Sequence, residues 1–323
     1  MVREVKIVEE DLKKILLKYI IGKLVNYRII KRRLDTLNPS LVIKTSKGKY
    51  FIKVYIKEFE RFRYHILKGL ELLSYLQKKR YPCVRVISSN VNKPYIKYKN
   101  LTIAVFEFMN FGEKNITTKK EAYEIGKYLG RLHVLAKDFP LNKVGQGYDS
   151  FRKGLDSGFY LTKNAPEKYK KVLNYMKDVI SDLKIPRNQP KSVCHVEFTS
   201  QHVRFKNQKL VSVIDCDEVS RDSMLYDLGT TAVSVFDKDK INFGFLAEII
   251  RGYDKDRRLT VWEKNHLYEA VSFGIFKFVI WGLDEEEIRK SGWDKIGLQS
   301  VRKLMEMGKD GFDRELNKYL RIK

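Results

Sequence analysis

Between Cys194 and Leu228 the chain reads Cys-His-Val-Glu-Phe-Thr-Ser-Gln-His-Val-Arg-Phe, then Lys-Leu-Val-Ser-Val-Ile-Asp-Cys-Asp-Glu, then Asp-Ser-Met-Leu-Tyr-Asp-Leu. One short loop and the end of one apolar strand thus supply the groups that phosphoryl transfer from a nucleotide requires: a carboxylate to orient or deprotonate an acceptor hydroxyl, Glu197, and two ligands for a divalent cation, His202 and Asp215. Asp217 and Glu218 read equally as a further metal contact or as surface acids. A single acid or histidine in a loop is usually a solvated or hydrogen-bonded structural group, so the inference rests on the ordered set. Upstream, Lys53 lies in Phe-Ile-Lys-Val-Tyr, directly after a hairpin turn. It reads either as an edge charge or as a phosphate ligand.

The elements that must position these residues fall into two textures. Tyr27–Ile30, Leu41–Lys44 and Tyr50–Tyr55 alternate as strands, the last two joined by the turn Ser46-Lys47-Gly48. Phe62, Ile66, Leu67, Leu70, Leu73 and Leu76 recur at helical spacing between Phe59 and Lys79, where Tyr81-Pro82 ends the pattern. Strands are expected again at Val84–Ile87 and Ile103–Phe108. This predicts a small antiparallel-sheet lobe with one helix over residues 1–110. From Thr118 the pattern turns helical, at Ala122–Leu132 and Tyr169–Leu183, with a glycine-rich stretch (Gly145, Gly147, Gly154, Gly158) between. One strand-like block, Leu210–Ile214, interrupts a mainly helical lobe over residues 111–323, which closes on an amphipathic helix from Ile296 to Leu320. A cleft between two such lobes is a natural ligand site.

The segment from Cys194 resembles the catalytic loop of the protein-kinase-like small-molecule phosphotransferases, the family of aminoglycoside, choline and homoserine kinases. The family pattern is His-Gly-Asp-Leu-x-x-x-Asn-Val-Leu-Phe, then Gly-Val-Ile-Asp-Trp/Phe-Asp, then Tyr-Asp-Leu-Ala. Glu197 precedes His202 by five residues, as the catalytic Asp precedes the metal-binding Asn in kinases. The resemblance implies an α+β, two-lobed protein-kinase-like fold using ATP and Mg2+. His195 is the loop histidine by this match, Glu197 the catalytic carboxylate, His202 and Asp215 the metal ligands, and Asp227 the structural acid of Tyr-Asp-Leu. Lys53 resembles the strand lysine that meets the α- and β-phosphates. Phe106–Gly112 resembles the interlobe hinge, whose backbone around Glu107 and Met109 would meet the adenine edge.

Three departures stand out. Glu197 replaces Asp, Val196 replaces Gly, and His202 replaces Asn, although macrolide kinases of the same family resemble the chain in that histidine. The acid expected to partner Lys53 is Glu60 or Glu71. Leu37-Asn38-Pro39-Ser40 lacks the glycines of a phosphate loop. The run Gly126-Lys127-Tyr128-Leu129-Gly130-Arg131-Leu132-His133, then Asp138-Phe139-Pro140-Leu141, and later Gly252-Tyr253 and Leu259-Thr260, is similar to the homoserine-kinase-like branch. This resemblance spans about residues 10 to 283.

Composition bounds the alternatives. The 323 residues are 43% hydrophobic and 12% aromatic, enough for two cores. No run approaches the roughly 18 apolar residues of a membrane span, and Glu4, Glu9, Glu10 and Asp11 do not fit a signal peptide, so a soluble cytoplasmic chain is expected. Cys83, Cys194 and Cys216 are odd in number and set in apolar runs, as reduced thiols are. The net charge of +24 leaves a polyanionic partner open, but the lysines are scattered in pairs and no nucleic-acid motif accompanies them. The charge also leans against a polycationic aminoglycoside unless acids such as Asp284-Glu285-Glu286-Glu287 line the site. Three readings follow: a kinase of a small hydroxylated metabolite, a pseudokinase serving as a binding or scaffolding module, and a basic nucleic-acid-associated protein.

Overall fold

A computed structural model describes residues 7–30, 39–55, 63–112, 114–141, 167, 170–182, 189–237, 240–284 and 293–320. Glu60, Leu37 and Asn38, the glycine-rich stretch at 145–158, and Glu285–Glu287 lie outside them. The chain divides into two compact units, Met1–Phe111 with Ile214–Glu218, and Gly112–Val213 with Val219–Lys323.

The first unit is a five-stranded antiparallel sheet in the order β1-β2-β3-β5-β4, formed by Leu24–Ile30, Ser40–Thr45, Gly48–Tyr55, Ile96–Tyr98 (β4) and Leu101–Glu107 (β5). The hairpin register pairs Thr45 with Gly48, so Ser46-Lys47 forms the loop expected from sequence. Alternation sends Leu41, Ile43, Ile52, Val54, Ile103 and Val105 into one core. Two helices serve this unit, not one. The longer, α2 (Arg63–Lys78), was anticipated; the shorter, α1 (Glu9–Leu16), starts on three acids that favour its N-terminus and adds Leu12, Ile15 and Leu16 to the sheet core. The strand expected at Val84–Ile87 is reduced to a single bridge, Val86 to Phe106. About this bridge the Ile87 amide donates to the Val105 carbonyl at 2.8 Å and the Glu107 amide to that of Arg85 at 2.9 Å, and β5 ends at Glu107.

The second unit is mainly helical: α3 (Lys119–Leu135), α4 (Lys170–Asp182), α5 (Met224–Ala232), α6 (Phe243–Asp256), α7 (Val261–Asn265), α8 (Leu267–Asp284) and α9 (Trp293–Leu320), the last broken at Gly308 by non-helical backbone. Thr118 caps α3 by accepting from the Glu121 amide. At the α3–α6 crossing a Cβ on Gly126 would lie 1.8 Å from the Ile249 carbonyl oxygen, and one on Gly252 would lie 2.1 Å from that of Tyr123. The two backbones touch, and only glycine permits that approach.

The single strand block expected in this unit is a fuller set. Lys191–Cys194 (β6) pairs with Ser220–Ser223 (β9), Val203–Lys206 (β7) pairs with Lys209–Val213 (β8), and Phe236–Asp237 (β10) pairs with Lys240–Ile241 (β11). In the first pair Cys194, the last residue before the loop at 195–202, lies opposite Ser220, and Ser223, the last before α5, lies opposite Lys191. No helix among the described residues is long and apolar enough to cross a membrane.

Candidate active site

In the first unit β3 is the middle strand, and Lys53 is held in register opposite Ser40 on one side and Ala104 on the other. Its ammonium donates to Asp215 Oδ1 at 2.7 Å and lies 2.6 Å from Asp217 Oδ2. Tyr55, two residues on and so on the same face, donates its hydroxyl to Asp217 Oδ1 at 2.9 Å. Burial works against the Lys53 charge, but the two carboxylates outweigh it and hold the ammonium above its ordinary range. For Asp217, burial dominates over the attraction of Lys53, and with the like charge of Asp215 it pushes the carboxyl up to about 6.

Asp215 takes a left-handed backbone conformation (φ 60°), one that aspartate tolerates better than most residues. Behind it, α2 passes so close that a Cβ on Gly69 would sit 1.7 Å from the Cys216 carbonyl oxygen. Of the two acids considered for Lys53, Glu71 pairs instead with Lys68 at 2.8 Å.

In the second unit the loop after β6 is pinned by Asp227 in the first turn of α5. Asp227 accepts from the His195 amide at 2.6 Å and the Val196 amide at 2.8 Å, and its Oδ2 lies 3.0 Å from His133 Nε2. His133 Nδ1 meets the Tyr253 hydroxyl at 2.7 Å. Burial opposes the Asp227 charge, yet His133 and the loop amides hold its carboxyl below the ordinary range. His133, Cys194 and Asp227 lie close enough to share a metal ion. The histidine nitrogens are already hydrogen-bonded to Tyr253 and Asp227, however, and burial pushes the Cys194 thiol well up, which keeps it protonated. The cluster is a structural clamp.

This clamp explains a departure from the family pattern. Val196 has φ 75°, a left-handed conformation that suits glycine and strains a β-branched residue. Asp227 holds the Val196 amide in that geometry. The next residue, Glu197, has a side chain 29% exposed, with Oε1 3.7 Å from Lys277 Nζ. The loop then turns tightly: the Thr199 amide donates to the Glu197 carbonyl at 2.7 Å, and the His202 amide to that of Thr199 at 3.0 Å. His202 Nδ1 lies 2.7 Å from the same Glu197 carbonyl, which can only accept, so Nδ1 is the nitrogen that carries the proton in the neutral ring. His195 is buried, stacked on His202 at 6.1 Å.

The residues expected to do chemistry thus gather in two groups. Lys53, Asp215 and Asp217 form a bonded cluster in the first unit; His195, Glu197 and His202 share one clamped loop in the second. Glu107 ends β5 opposite Tyr50, exposed, its amide donating to the Arg85 carbonyl, with Met109 half-buried beyond it. Tyr55, Gly69, His133, Tyr253 and Lys277 support the site without having been assigned a role from sequence. Of these, Lys277 carried a local signal, being a cation deep in the apolar run Phe273–Trp281.

Residues 30–264 match the family model described as a phosphotransferase enzyme family. The homoserine kinase of Parvibaculum lavamentivorans is 25% identical over 228 residues, spanning 68% of this chain and 67% of that protein. The homoserine kinase of a Chelativorans species is 25% identical over 261 residues, spanning 78% of each. Among solved structures, an aminopropanol kinase associated with a microcompartment superposes with TM-score 0.71 at 12% identity, over 93% of this chain and 98% of that one. An amicoumacin kinase in complex with AMP-PNP, Ca2+ and Ami superposes with TM-score 0.70 at 14% identity, over 93% and 97%. These likenesses show the protein-kinase-like fold.

Proposed function

The chain belongs to the phosphotransferase enzyme family, and from that premise we propose that it is an ATP-dependent kinase phosphorylating a hydroxyl of a small metabolite. The observation that carries the reading is the clamped loop: a buried carboxylate fixes the two amides ahead of Glu197 while the Glu197 side chain keeps 29% exposure. A loop held in a strained backbone conformation to present one acid is the arrangement expected of a working site.

In this reading Glu197 accepts the proton of the acceptor hydroxyl as it attacks the terminal phosphorus, or orients that hydroxyl. Lys53 supplies fixed positive charge to the nucleotide phosphates, and the backbone around Glu107 and Met109 meets the adenine edge. Within each unit taken by itself the side chains suit magnesium: the Asp215 and Asp217 carboxylates would offer oxygens to a hard cation in the first, and His202 would offer Nε2 in the second. When bound, the ion neutralises phosphate charge. His195, buried at the start of the loop, supports it.

The names of the relatives guide the choice of acceptor, since homoserine and aminopropanol are both small amines bearing a hydroxyl. The test is ADP release from ATP–Mg2+ in the presence of L-homoserine, aminopropanol, choline or an aminoglycoside. Acceptor-dependent release that falls at least about tenfold in Glu197→Gln supports the reading. ATP binding with no acceptor-dependent release would leave the chain a pseudokinase.

A further inference from the structure

Lys277 occupies the interior of α8, a helix whose run from Ala270 to Leu283 is otherwise uncharged. Its side chain is 12% exposed, so the ammonium does not simply reach for water, and a cation in that position must be compensated locally. Compensation comes from the catalytic loop: Nζ donates to the Val196 carbonyl at 3.3 Å and lies 3.7 Å from Glu197 Oε1. One side chain therefore touches both the strained residue ahead of Glu197 and the Glu197 carboxylate.

We propose that Lys277 is a positioning residue for the phosphotransfer reaction, bracketing Glu197 so that a carboxylate one methylene longer than the family's aspartate is presented in one place. The inference rests on the kinase reading and extends it. The longer side chain gains a rotatable bond and can misplace its oxygens by about 1 Å, a displacement that can cost on the order of a hundredfold in rate. A fixed cation on Oε1 removes that freedom. The Val196 carbonyl contact works with the Asp227 clamp, so the loop backbone is held from its amide side by the acid and from its carbonyl side by the lysine. Asp227 is buried beneath the loop and bonded to backbone; Lys277 reaches Glu197 Oε1 from outside the loop, while His202 Nδ1, within the loop, lies 4.0 Å from Oε2.

The experiment is a double-mutant cycle between Lys277→Met and Glu197→Gln, read as ADP release with the panel acceptor that wild type turns over fastest, L-homoserine being tried first. Lys277→Met is expected to lower kcat about tenfold or more with KM for ATP within about twofold. Lys277→Arg should restore most of it, and Lys277→Met should add little to Glu197→Gln. If Lys277→Met does not fold, Lys277→Gln retains a donor for the Val196 carbonyl and lacks only the charge. Equal losses from Lys277→Met in wild type and in the Glu197→Gln background would overturn the proposal, as would an arginine variant no better than the methionine one, since a packing role predicts both. Wild type that turns over no acceptor overturns the kinase reading and this inference together, whereas turnover with additive losses overturns this inference alone.

Discussion

Replacing Gly69 with alanine tests how the Lys53 cluster is built. The new Cβ would lie 1.7 Å from the Cys216 carbonyl oxygen and 2.7 Å from its carbon, both backbone atoms with no side-chain rotamer to yield. Restoring ordinary contact requires α2 and the segment Ile214–Glu218 to part by about 1.5 Å. Overpacking of this kind costs about 1–3 kcal/mol, and the better helix propensity of alanine returns about 1 kcal/mol at most. The separation also moves Asp215 and Asp217, which now hold Lys53 at 2.7 and 2.6 Å, past the distance at which these contacts count as hydrogen bonds. Gly69→Ala should therefore lower Tm by up to about 3 °C in a thermal scan and weaken ATP–Mg2+ binding by calorimetry about tenfold or more. Gly244→Ala is the control, because its Cβ would meet nothing closer than 3.4 Å. A Gly69→Ala protein with Tm within about 1 °C of wild type and unaltered nucleotide affinity would refute the reasoning.

Two further outcomes follow from the same cluster. Lys53→Met should weaken ATP–Mg2+ binding by about tenfold or more through loss of a charged contact and lower stability by about 2 kcal/mol by urea denaturation. That is less than a fully buried pair would lose, because Asp215 is 34% exposed; unchanged affinity would remove Lys53 from the nucleotide site. Asp217, raised to about 6 from an ordinary value near 3.8, stays protonated in the folded chain while the unfolded chain ionises, so it favours folding at low pH and that contribution is lost as pH rises from about 4 to 6. In metal-free buffer Asp217→Asn should gain stability relative to wild type between pH 4 and 7, and a difference that is flat or of opposite sign contradicts the burial argument.

Legibility in the sequence followed the range of the interactions. The β2–β3 hairpin and α2 were readable because Ser46-Lys47-Gly48 and the spacing of Ile66, Leu70, Leu73 and Leu76 are local signals. The first helix was hidden because Glu-Glu-Asp-Leu-Lys-Lys-Ile-Leu offers only three apolar positions, and β6 and β9 because four-residue strands give alternation too few steps to register. Val84–Ile87 had strand composition, yet β4 already pairs with Leu101–Ile103 and β5 ends at Glu107, which leaves room for a single bridge.

At the site, the order Glu197, His202, Asp215 was visible since the loop and the strand end are contiguous in sequence. The acids that pair with Lys53 were not, since 162 residues separate Lys53 from Asp215 and no periodicity links them. The family-like run at Gly126–His133 and the pair Gly252-Tyr253 acquire a physical meaning only in three dimensions. Their glycines allow α3 and α6 to touch, and His133 with Tyr253 supports the aspartate that clamps the loop.

The central claim is that a phosphoryl group passes from ATP to a hydroxyl of a small acceptor at Glu197. Mass spectrometry of the acceptor after incubation with ATP–Mg2+ tests it most directly, with wild type and Asp215→Asn run side by side over the hydroxylated amine panel. The account predicts an acceptor heavier by one phosphoryl group with wild type and none with Asp215→Asn. An unmodified acceptor across the panel with wild type, at nucleotide concentrations that saturate binding, would contradict it.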